Sequence, residues 1–359
     1  MSPEKTNTGR RNFLKTSSAI AAGLLTTPIL SEASPAARPA SDAPPTAIAR
    51  DAMPTRNLGK TGHRVGIFSL GGQAALERAN NFDVAVPIIE RALDLGVNYC
   101  DTSSIYGGPE RWSEQYYGRV LKHRRKETFI ATKTKERSRD ASWRMLEKSL
   151  ELMQTDHIDL WQLHDIGTLE DINPCFAKGG AMEAMQEAKD QGIVSFLGIT
   201  GHHRPASLVE CIRRYPFDTV LMGFNAADTH QHSFATELLP LAVERQMGII
   251  GMKVPARGRL LASWTPDPLE KQQHSWEGQA VISTSPGTLT MREAMYYTLS
   301  HPVSTVIIGC DTIAQLEENV ALAKAFTPLS QNQLADISAR TEPIHKQALF
   351  FRNFNRAEV

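Results

Sequence analysis

The amino-acid sequence predicts an α/β fold, a (β/α)₈ TIM barrel, and three observations lead to that class. From Pro54 onward, short apolar runs rich in β-branched residues alternate with longer segments of helical periodicity, which is typical of βα units around a parallel sheet. Eight runs of each kind can be counted, and the chain of 359 residues exceeds the ~250 residues that such a barrel needs. The competing class is an open doubly wound sheet with a GxGxxG fingerprint after its first strand, where this chain has only the pair Gly71-Gly72.

The predicted elements alternate regularly along the chain. Gly96 and Gly192 each follow a helical segment directly, as expected at a left-handed helix end, and an apolar strand begins soon afterwards. The segment from Val254 to Gly287 follows the seventh strand, is rich in Pro, Ser, Trp and Gln, and is predicted as a long active-site loop. The predicted strands are Val65–Leu70, Val97–Asp101, Thr128–Thr132, Ile158–Leu163, Val194–Thr200, Thr219–Gly223, Gly248–Met252 and Thr305–Ile308. The predicted helices are Val84–Leu95, Ser113–Lys122, Ala141–Met153, Ala181–Gln191, Pro205–Arg214, Thr236–Arg245, Thr288–Ser300 and Ala314–Ala325.

Composition and charge restrict the class of partner. The 41% of hydrophobic and 22% of charged residues are enough for a globular core, which excludes disorder over the whole chain. The 39 basic residues balance the 39 acidic ones, which argues against a protein that binds nucleic acid or an anionic membrane. The expected partner is a small molecule. The four cysteines (Cys100, Cys175, Cys211 and Cys310) lack the CxxC spacing of zinc and iron–sulfur sites, and three of them border apolar runs and are predicted as core residues.

The N-terminal segment resembles a twin-arginine (Tat) export signal. Arg10-Arg11 precede a weakly apolar run from Thr16 to Leu30, and small residues follow. This run of 15 residues is broken by Pro28 and falls short of the ~20 that span a bilayer, so no stable membrane anchor is expected. The pattern predicts the Tat machinery as a partner and a periplasmic or otherwise exported location, the alternative being a chance basic pair in a disordered N-terminus. The predicted organisation is a signal peptide at 1–36, a Pro/Ala-rich linker at 37–53, the barrel at 54–345 and a C-terminal tail at 346–359.

Four polar side chains are predicted at the carboxyl ends of strands, where barrels carry their active sites. Asp101 and Tyr106 follow the second strand, Lys133 the third and His164 the fourth. A neighbouring ammonium lowers the pKa of a tyrosine, and a carboxylate keeps that ammonium charged, so Lys133 and Asp101 are expected to tune Tyr106 in this way. Tyr106 then exchanges a proton with a carbonyl oxygen as hydride reaches the carbon, while His164 polarises that oxygen. The pattern predicts carbonyl reduction and its reverse.

These residues resemble the aldo/keto reductase superfamily, and the resemblance extends from Arg56 to Asn319. The segment Asp101-Thr102-Ser103-Ser104-Ile105-Tyr106-Gly107 is similar to the family's catalytic signature, and Arg56-Asn57-Leu58-Gly59-Lys60-Thr61-Gly62 is similar to its opening β-hairpin. Residues 309–319, after the eighth strand, are similar to its adenosine-phosphate motif. The resemblance implies a nicotinamide-dependent oxidoreductase that interconverts an aldehyde, ketone or sugar with an alcohol. Its catalytic residues would be Asp101, Tyr106, Lys133 and His164.

The resemblance also implies an NADP or NAD cofactor extended across the barrel mouth, although the expected contacts depart from the family pattern. Thr200-Gly201 stands where Ser-Asn is more common, Leu221 replaces a Gln, and Met252 replaces an aromatic residue. Asp311 stands in a segment where many NADP-preferring members have a basic side chain, and its carboxylate would repel a 2′-phosphate, so both cofactors stay open. The implied cofactor contacts are Gly72, Thr200, Gly201, Met252, Lys253, Gly309, Asp311, Gln315, Glu318 and Asn319.

Two other functions stay open at this stage. A non-catalytic barrel that binds a nucleotide or ligand as a sensor or scaffold is suggested by the departures at Leu221 and Met252. A metal-dependent hydrolase or isomerase is suggested by histidines and an aspartate that follow the fifth and sixth strands, although their spacing is not diagnostic and no metal ligand is assigned. Those residues are His202, His203, Asp228, His230 and His232.

Overall fold

The computed structural model describes residues 52–269, 272 and 283–352. The predicted signal peptide, and all of the predicted linker except its last two residues, lie outside the described residues. No helix within the described ranges has the length and apolar character that crossing a bilayer requires.

Eight parallel strands close into a barrel, as predicted. Their order around the barrel is β10-β3-β4-β5-β6-β7-β8-β9, and β9 pairs with β10 to complete the ring. Because all eight strands run in the same direction, their carboxyl ends meet at one mouth of the barrel. The strands are β3 (Phe68–Gly71), β4 (Tyr99–Asp101), β5 (Phe129–Thr134), β6 (Ile158–Leu163), β7 (Val194–Gly201), β8 (Thr219–Gly223), β9 (Gly248–Met252) and β10 (Thr305–Ile308).

The predicted N-terminal β-hairpin is present and contributes to the barrel interior. Its strands β1 (Thr55–Asn57) and β2 (Arg64–Gly66) pair antiparallel. Leu58 and Val65 are buried in the same apolar cluster as inward-facing residues of the barrel strands. The prediction of one strand over Val65–Leu70 was wrong. The strand is interrupted at Ile67, whose N–H donates a hydrogen bond to the Pro54 carbonyl at 3.0 Å.

The helices surround the barrel and mostly agree with the prediction. Gly96 and Gly192 have the expected positive φ angles of 87° and 70°. One predicted helix, Thr236–Arg245, is divided in two, because Pro240 has no N–H for a helical bond and lies in the first turn of a new helix. The helices are α1 (Phe82–Asp94), α2 (Trp112–Arg124), α3 (Arg139–Met153), α4 (Leu169–Phe176), α5 (Ala181–Asp190), α6 (Pro205–Arg214), α7 (Phe234–Glu237), α8 (Leu239–Glu244), α9 (Met291–Leu299), α10 (Ile313–Lys324), α11 (Gln331–Thr341) and α12 (His345–Ala348).

The described part of the predicted C-terminal tail packs against the barrel. Arg352 is fully buried, and its guanidinium lies 2.6 Å from Asp228 and donates to the Gly223 carbonyl at 2.8 Å. The carbonyl of Phe351 lies 3.2 Å from Nδ1 of His202. Residues 351 and 352 therefore lie over the ends of β7 and β8, at the same mouth as the predicted active site.

Candidate active site

Asp101 and Lys133 form a buried ion pair at the mouth of the barrel. Asp101 ends β4 and Lys133 lies near the end of β5, so the parallel pairing of these strands brings them side by side. The Lys133 ammonium donates to the Asp101 carboxylate and, at 2.6 Å, to the Thr102 carbonyl. Gln162 of β6 donates to the second carboxylate oxygen at 3.4 Å. Burial raises the pKa of Asp101 and lowers the pKa of Lys133, while their mutual attraction opposes both shifts.

Tyr106 and His164 lie beside this pair. The two rings meet edge to face with their centroids 5.7 Å apart, and Nζ of Lys133 is 5.0 Å from the Tyr106 ring centroid. Tyr106 is partly exposed, whereas Asp101, Lys133 and His164 are buried. The structure thus brings together the four residues that the sequence singled out, here called the tetrad, and Tyr106 is the least buried of them.

The net shift in the pKa of Tyr106 is opposite to the one expected from Lys133 alone. The pKa of Tyr106 is raised well above its ordinary value, first by burial and then by the negative charges of Asp101, Glu77 and Asp165, while Arg257 opposes the shift. Asp101 neutralises Lys133 at close range, so the pair does not act on the phenol as an isolated ammonium would. Tyr106 is therefore a protonated acid throughout the neutral pH range.

His164 is held as a neutral imidazole. Its Nδ1 lies 2.9 Å from the Ser103 hydroxyl, and burial together with the charge of Lys133 moves its pKa well below the ordinary value. When Ser103 donates to Nδ1, the proton of the neutral ring is on Nε2, where it can be donated to a ligand oxygen. Ser103 was not singled out from the sequence, although it lies inside the segment that carries Asp101 and Tyr106.

Three glycines among the implied cofactor contacts lie where the backbones of neighbouring elements nearly touch. A Cβ added at Gly72 would lie 2.6 Å from the Asp101 carbonyl oxygen, and a Cβ added at Gly201 would lie 2.6 Å from the Ile166 carbonyl oxygen. At Gly309 it would be 2.9 Å from the Gln73 carbonyl oxygen. These glycines allow close packing at the carboxyl ends of the strands.

Two of the residues that differ from the family pattern lie close together inside the barrel. Leu221 and Met252 both belong to the apolar cluster of the barrel interior. Thr200, also at the mouth, accepts a hydrogen bond from the Asp165 N–H at 2.9 Å, and its own hydroxyl proton can still be donated. The surface available to a nicotinamide ring is therefore apolar on the Met252 side and polar at Thr200.

Basic groups and an unusual backbone follow β9. Lys253, Ala256 and Arg257 all have left-handed φ angles, of 64°, 51° and 54°, and the Ala256 N–H donates to the Lys253 carbonyl at 2.9 Å. Burial, together with the charge of Arg257, lowers the pKa of Lys253 to about 8. Arg257 also lies 3.2 Å from Glu77, whose charge acts on Tyr106. The Lys253 ammonium and the Arg257 guanidinium are the basic groups of this segment that would bind a dinucleotide pyrophosphate.

The predicted adenosine end lies at the start of α10. The Asp311 carboxylate is 2.6 Å from the Arg78 guanidinium, and the Asp311 N–H donates to Gln315 at 2.7 Å. Asn319 is buried and donates to the thiol of Cys310, whereas Glu318 is exposed. Arg78 was missed by the sequence analysis because 233 residues separate it from Asp311.

The histidines that suggested a metal enzyme do not all meet. Asp228 pairs with Arg352, and Nε2 of His230 lies 3.0 Å from the Ser338 carbonyl. His202 and His203 instead face Asp165, which follows β6. All four cysteines are buried free thiols.

Comparison with known proteins gives one consistent result. The model of the aldo/keto reductase family matches residues 64–342. L-galactose dehydrogenase of Arabidopsis thaliana is 30% identical over 314 residues, which cover 80% of this chain and 94% of that protein. The uncharacterized oxidoreductase YqkF of Bacillus subtilis is 29% identical over 319 residues, 81% of this chain and 97% of that protein. An aldo-keto reductase from Bacillus halodurans, in its holo form, matches in structure with a TM-score of 0.64 and 27% identity over 80% of this chain and 96% of that one.

Proposed function

This chain belongs to the aldo/keto reductase family and is an NAD(P)-dependent oxidoreductase, and we propose that it interconverts a small aldose or hydroxyaldehyde with the corresponding alcohol or lactone, with Tyr106 as the general acid and base. The observation that carries the proposal is the meeting of a partly exposed phenol, a neutral imidazole and a buried Asp101–Lys133 pair at one barrel mouth. The similarity to L-galactose dehydrogenase supports a sugar as the substrate. A non-catalytic barrel is not favoured, because the relatives are oxidoreductases and the tetrad is complete.

The residues divide the work of proton transfer between them. When bound, the nicotinamide supplies or accepts the hydride at the carbonyl carbon. Tyr106 donates its phenolic proton to the carbonyl oxygen in reduction and takes it back in oxidation. His164 donates from Nε2 to the same oxygen and so stabilises the negative charge that develops there. Lys133 and Asp101 hold the floor of the site in place beneath the phenol.

The direct test uses the full chain and both dinucleotides. Any nucleotide released on denaturation is identified by mass, and nucleotide-free protein is then titrated with NADPH and NADH while its intrinsic fluorescence is followed. The panel of aldoses and small aldehydes is next supplied with the reduced cofactor to detect alcohol formation and with the oxidised cofactor to detect lactone formation, and the absorbance of the reduced nicotinamide is recorded. Dinucleotide binding together with sugar-dependent turnover is the expected result. A chain that binds neither dinucleotide would contradict the proposal.

Cofactor preference is expected to depend on Asp311. The Asp311–Arg78 pair is exposed, so removing the carboxylate leaves Arg78 free to face a 2′-phosphate. We expect Asp311→Asn to raise affinity for NADPH relative to NADH by about 2–5-fold, the scale of the ~0.5–1 kcal/mol typical of exposed charge pairs. Calorimetric titration with both cofactors measures the ratio. The matched control is Glu317→Gln, which removes an exposed carboxylate within α10, 2.7 Å from Arg91, and should leave the ratio unchanged.

Export by the Tat route is part of the proposal and rests on the sequence alone. Arg10 and Arg11 precede an apolar run and small residues, and this order is typical of Tat signals. We expect the double change Arg10→Lys and Arg11→Lys to leave the protein in the cytoplasmic fraction of a Tat-competent bacterium, whereas the unchanged chain reaches the periplasm. Arg38→Lys, the same change within the linker, is the control and should be exported normally. Periplasmic recovery of the double variant would contradict the signal.

A further inference from the structure

Asp165, His202 and His203 form a buried cluster at the ends of β6 and β7. Their side chains are 3%, 5% and 6% exposed. Nε2 of His202 lies 3.1 Å and Nε2 of His203 lies 3.2 Å from the same carboxylate oxygen, Oδ1 of Asp165. Within the described part of the chain, this is the cluster whose histidine and carboxylate atoms lie close enough together to share one ion.

The hydrogen bond on the far side of His202 determines where its proton is. Nδ1 lies 3.2 Å from the Phe351 carbonyl oxygen, which can only accept, so Nδ1 carries the hydrogen. In the neutral ring, Nε2 then presents a lone pair to a carboxylate oxygen 3.1 Å away, which is repulsive without a positive charge between them. A second proton or a metal ion supplies such a charge. A ligating histidine that donates its other N–H to a backbone carbonyl is the usual arrangement in metal sites.

The surrounding backbone is arranged to hold this cluster. Asp165 has a left-handed φ of 57°, and its N–H donates to Thr200 at 2.9 Å, which fixes the carboxylate toward β7. Two glycines leave space for the imidazole rings. A Cβ added at Gly223 would lie 2.7 Å from Cβ of His202. A Cβ added at Gly167 would lie 3.0 Å from a ring carbon of His203.

We propose that Asp165, His202 and His203 bind a divalent transition-metal ion of the Zn²⁺ class. Two imidazole nitrogens and one carboxylate oxygen suit Zn²⁺, Co²⁺, Ni²⁺ and Fe²⁺. Tetrahedral coordination with bonds of ~2.0–2.1 Å places neighbouring ligand atoms roughly 3.3 Å apart. The two separations from Oδ1, 3.1 and 3.2 Å, are close to that value. Three protein ligands leave a fourth position for water or a substrate oxygen.

Lys135 limits the strength of this site. Its ammonium lies 2.9 Å from Oδ2 of Asp165, so the lysine and the metal ion share one carboxylate. Repulsion between the two cations weakens metal binding, and loss of the lysine charge relieves it. Lys135 is half-exposed, so its replacement by glutamine places no new group in the core.

The experiment is a titration of chelator-treated full-length protein with Co²⁺, followed by visible d–d absorption. We expect one equivalent to bind with an intense, tetrahedral-type spectrum. His203→Ala should weaken binding by at least ~100-fold, since even loss of an outer partner costs ~10–100-fold. Lys135→Gln should bind more tightly than the unchanged chain. The matched control is His123→Ala, which removes an exposed histidine 2.8 Å from Glu90 and should bind Co²⁺ normally.

A titration of the unchanged chain, compared with a variant that lacks both histidines, can overturn the proposal. If the unchanged chain takes up no more Co²⁺ than the double variant His202→Ala and His203→Ala, this cluster is not a metal site. If Lys135→Gln also takes up no more Co²⁺ than the double variant, the same conclusion follows. Tyr106→Phe is titrated in parallel and should keep its Co²⁺ spectrum, so the metal site and the oxidoreductase function are tested separately.

Discussion

Replacing Tyr106 by phenylalanine is expected to lower kcat for carbonyl reduction by about 10²–10⁴-fold, the contribution typical of a positioned general acid. The phenylalanine ring keeps the edge-to-face contact with His164 and removes only the hydroxyl. Dinucleotide affinity should therefore stay unchanged, so that the loss appears in turnover. Steady-state kinetics with the best substrate of the panel, together with a fluorescence titration of cofactor, measures both quantities.

A matched control and a pH profile sharpen this prediction. Tyr215→Phe removes the hydroxyl of a tyrosine at the end of α6, and it should leave kcat unchanged. Because burial raises the pKa of Tyr106, the unchanged enzyme should keep its rate of reduction as pH rises through the neutral range. A Tyr106→Phe enzyme with full activity, or a rate that falls around neutral pH, would assign the proton to another group.

Much of the barrel could be predicted from the sequence, because buried parallel strands are short apolar runs with clear ends. The predicted bounds of β6, β8, β9 and β10 agree with the structure. The join between β2 and β3 was missed, because an apolar run shows no period where the chain passes from the hairpin to the barrel. α4 and α11 were also missed, although Thr168 with Asp171 and Ser330 with Gln333 form capping boxes that mark their starts.

The tetrad could be predicted because each of its members follows a different strand, and the fold gathers strand ends at one mouth. Contacts made by turns and distant segments could not be predicted in this way. Asp165 reaches His202 and His203 only because its backbone is left-handed, and Arg78 meets Asp311 across 233 residues. The predicted direction of the Tyr106 pKa shift was wrong for a related reason. Burial raises this pKa, and burial follows from the packing of the whole site, which a list of neighbouring charges does not contain.

Replacing Lys133 by methionine is expected to lower the free energy of unfolding by about 3–5 kcal/mol, because it leaves the Asp101 carboxylate buried without its partner. Asp101 and Lys133 are both almost fully buried, so water cannot replace the lost ammonium. Urea denaturation measures the change. The control is Lys148→Met, which removes an exposed ammonium 2.8 Å from Glu151 and should cost no more than about 1 kcal/mol.

The double variant Asp101→Asn and Lys133→Met separates stability from chemistry. Removing both charges takes away the unpaired carboxylate, so most of the lost unfolding free energy should return. Turnover should not return with it, because the ion pair that holds the floor of the site beneath the Tyr106 phenol is missing in both variants. If the double variant regained activity together with stability, Lys133 would be a structural residue only, and the assignment of the tetrad would reduce to Tyr106 and His164.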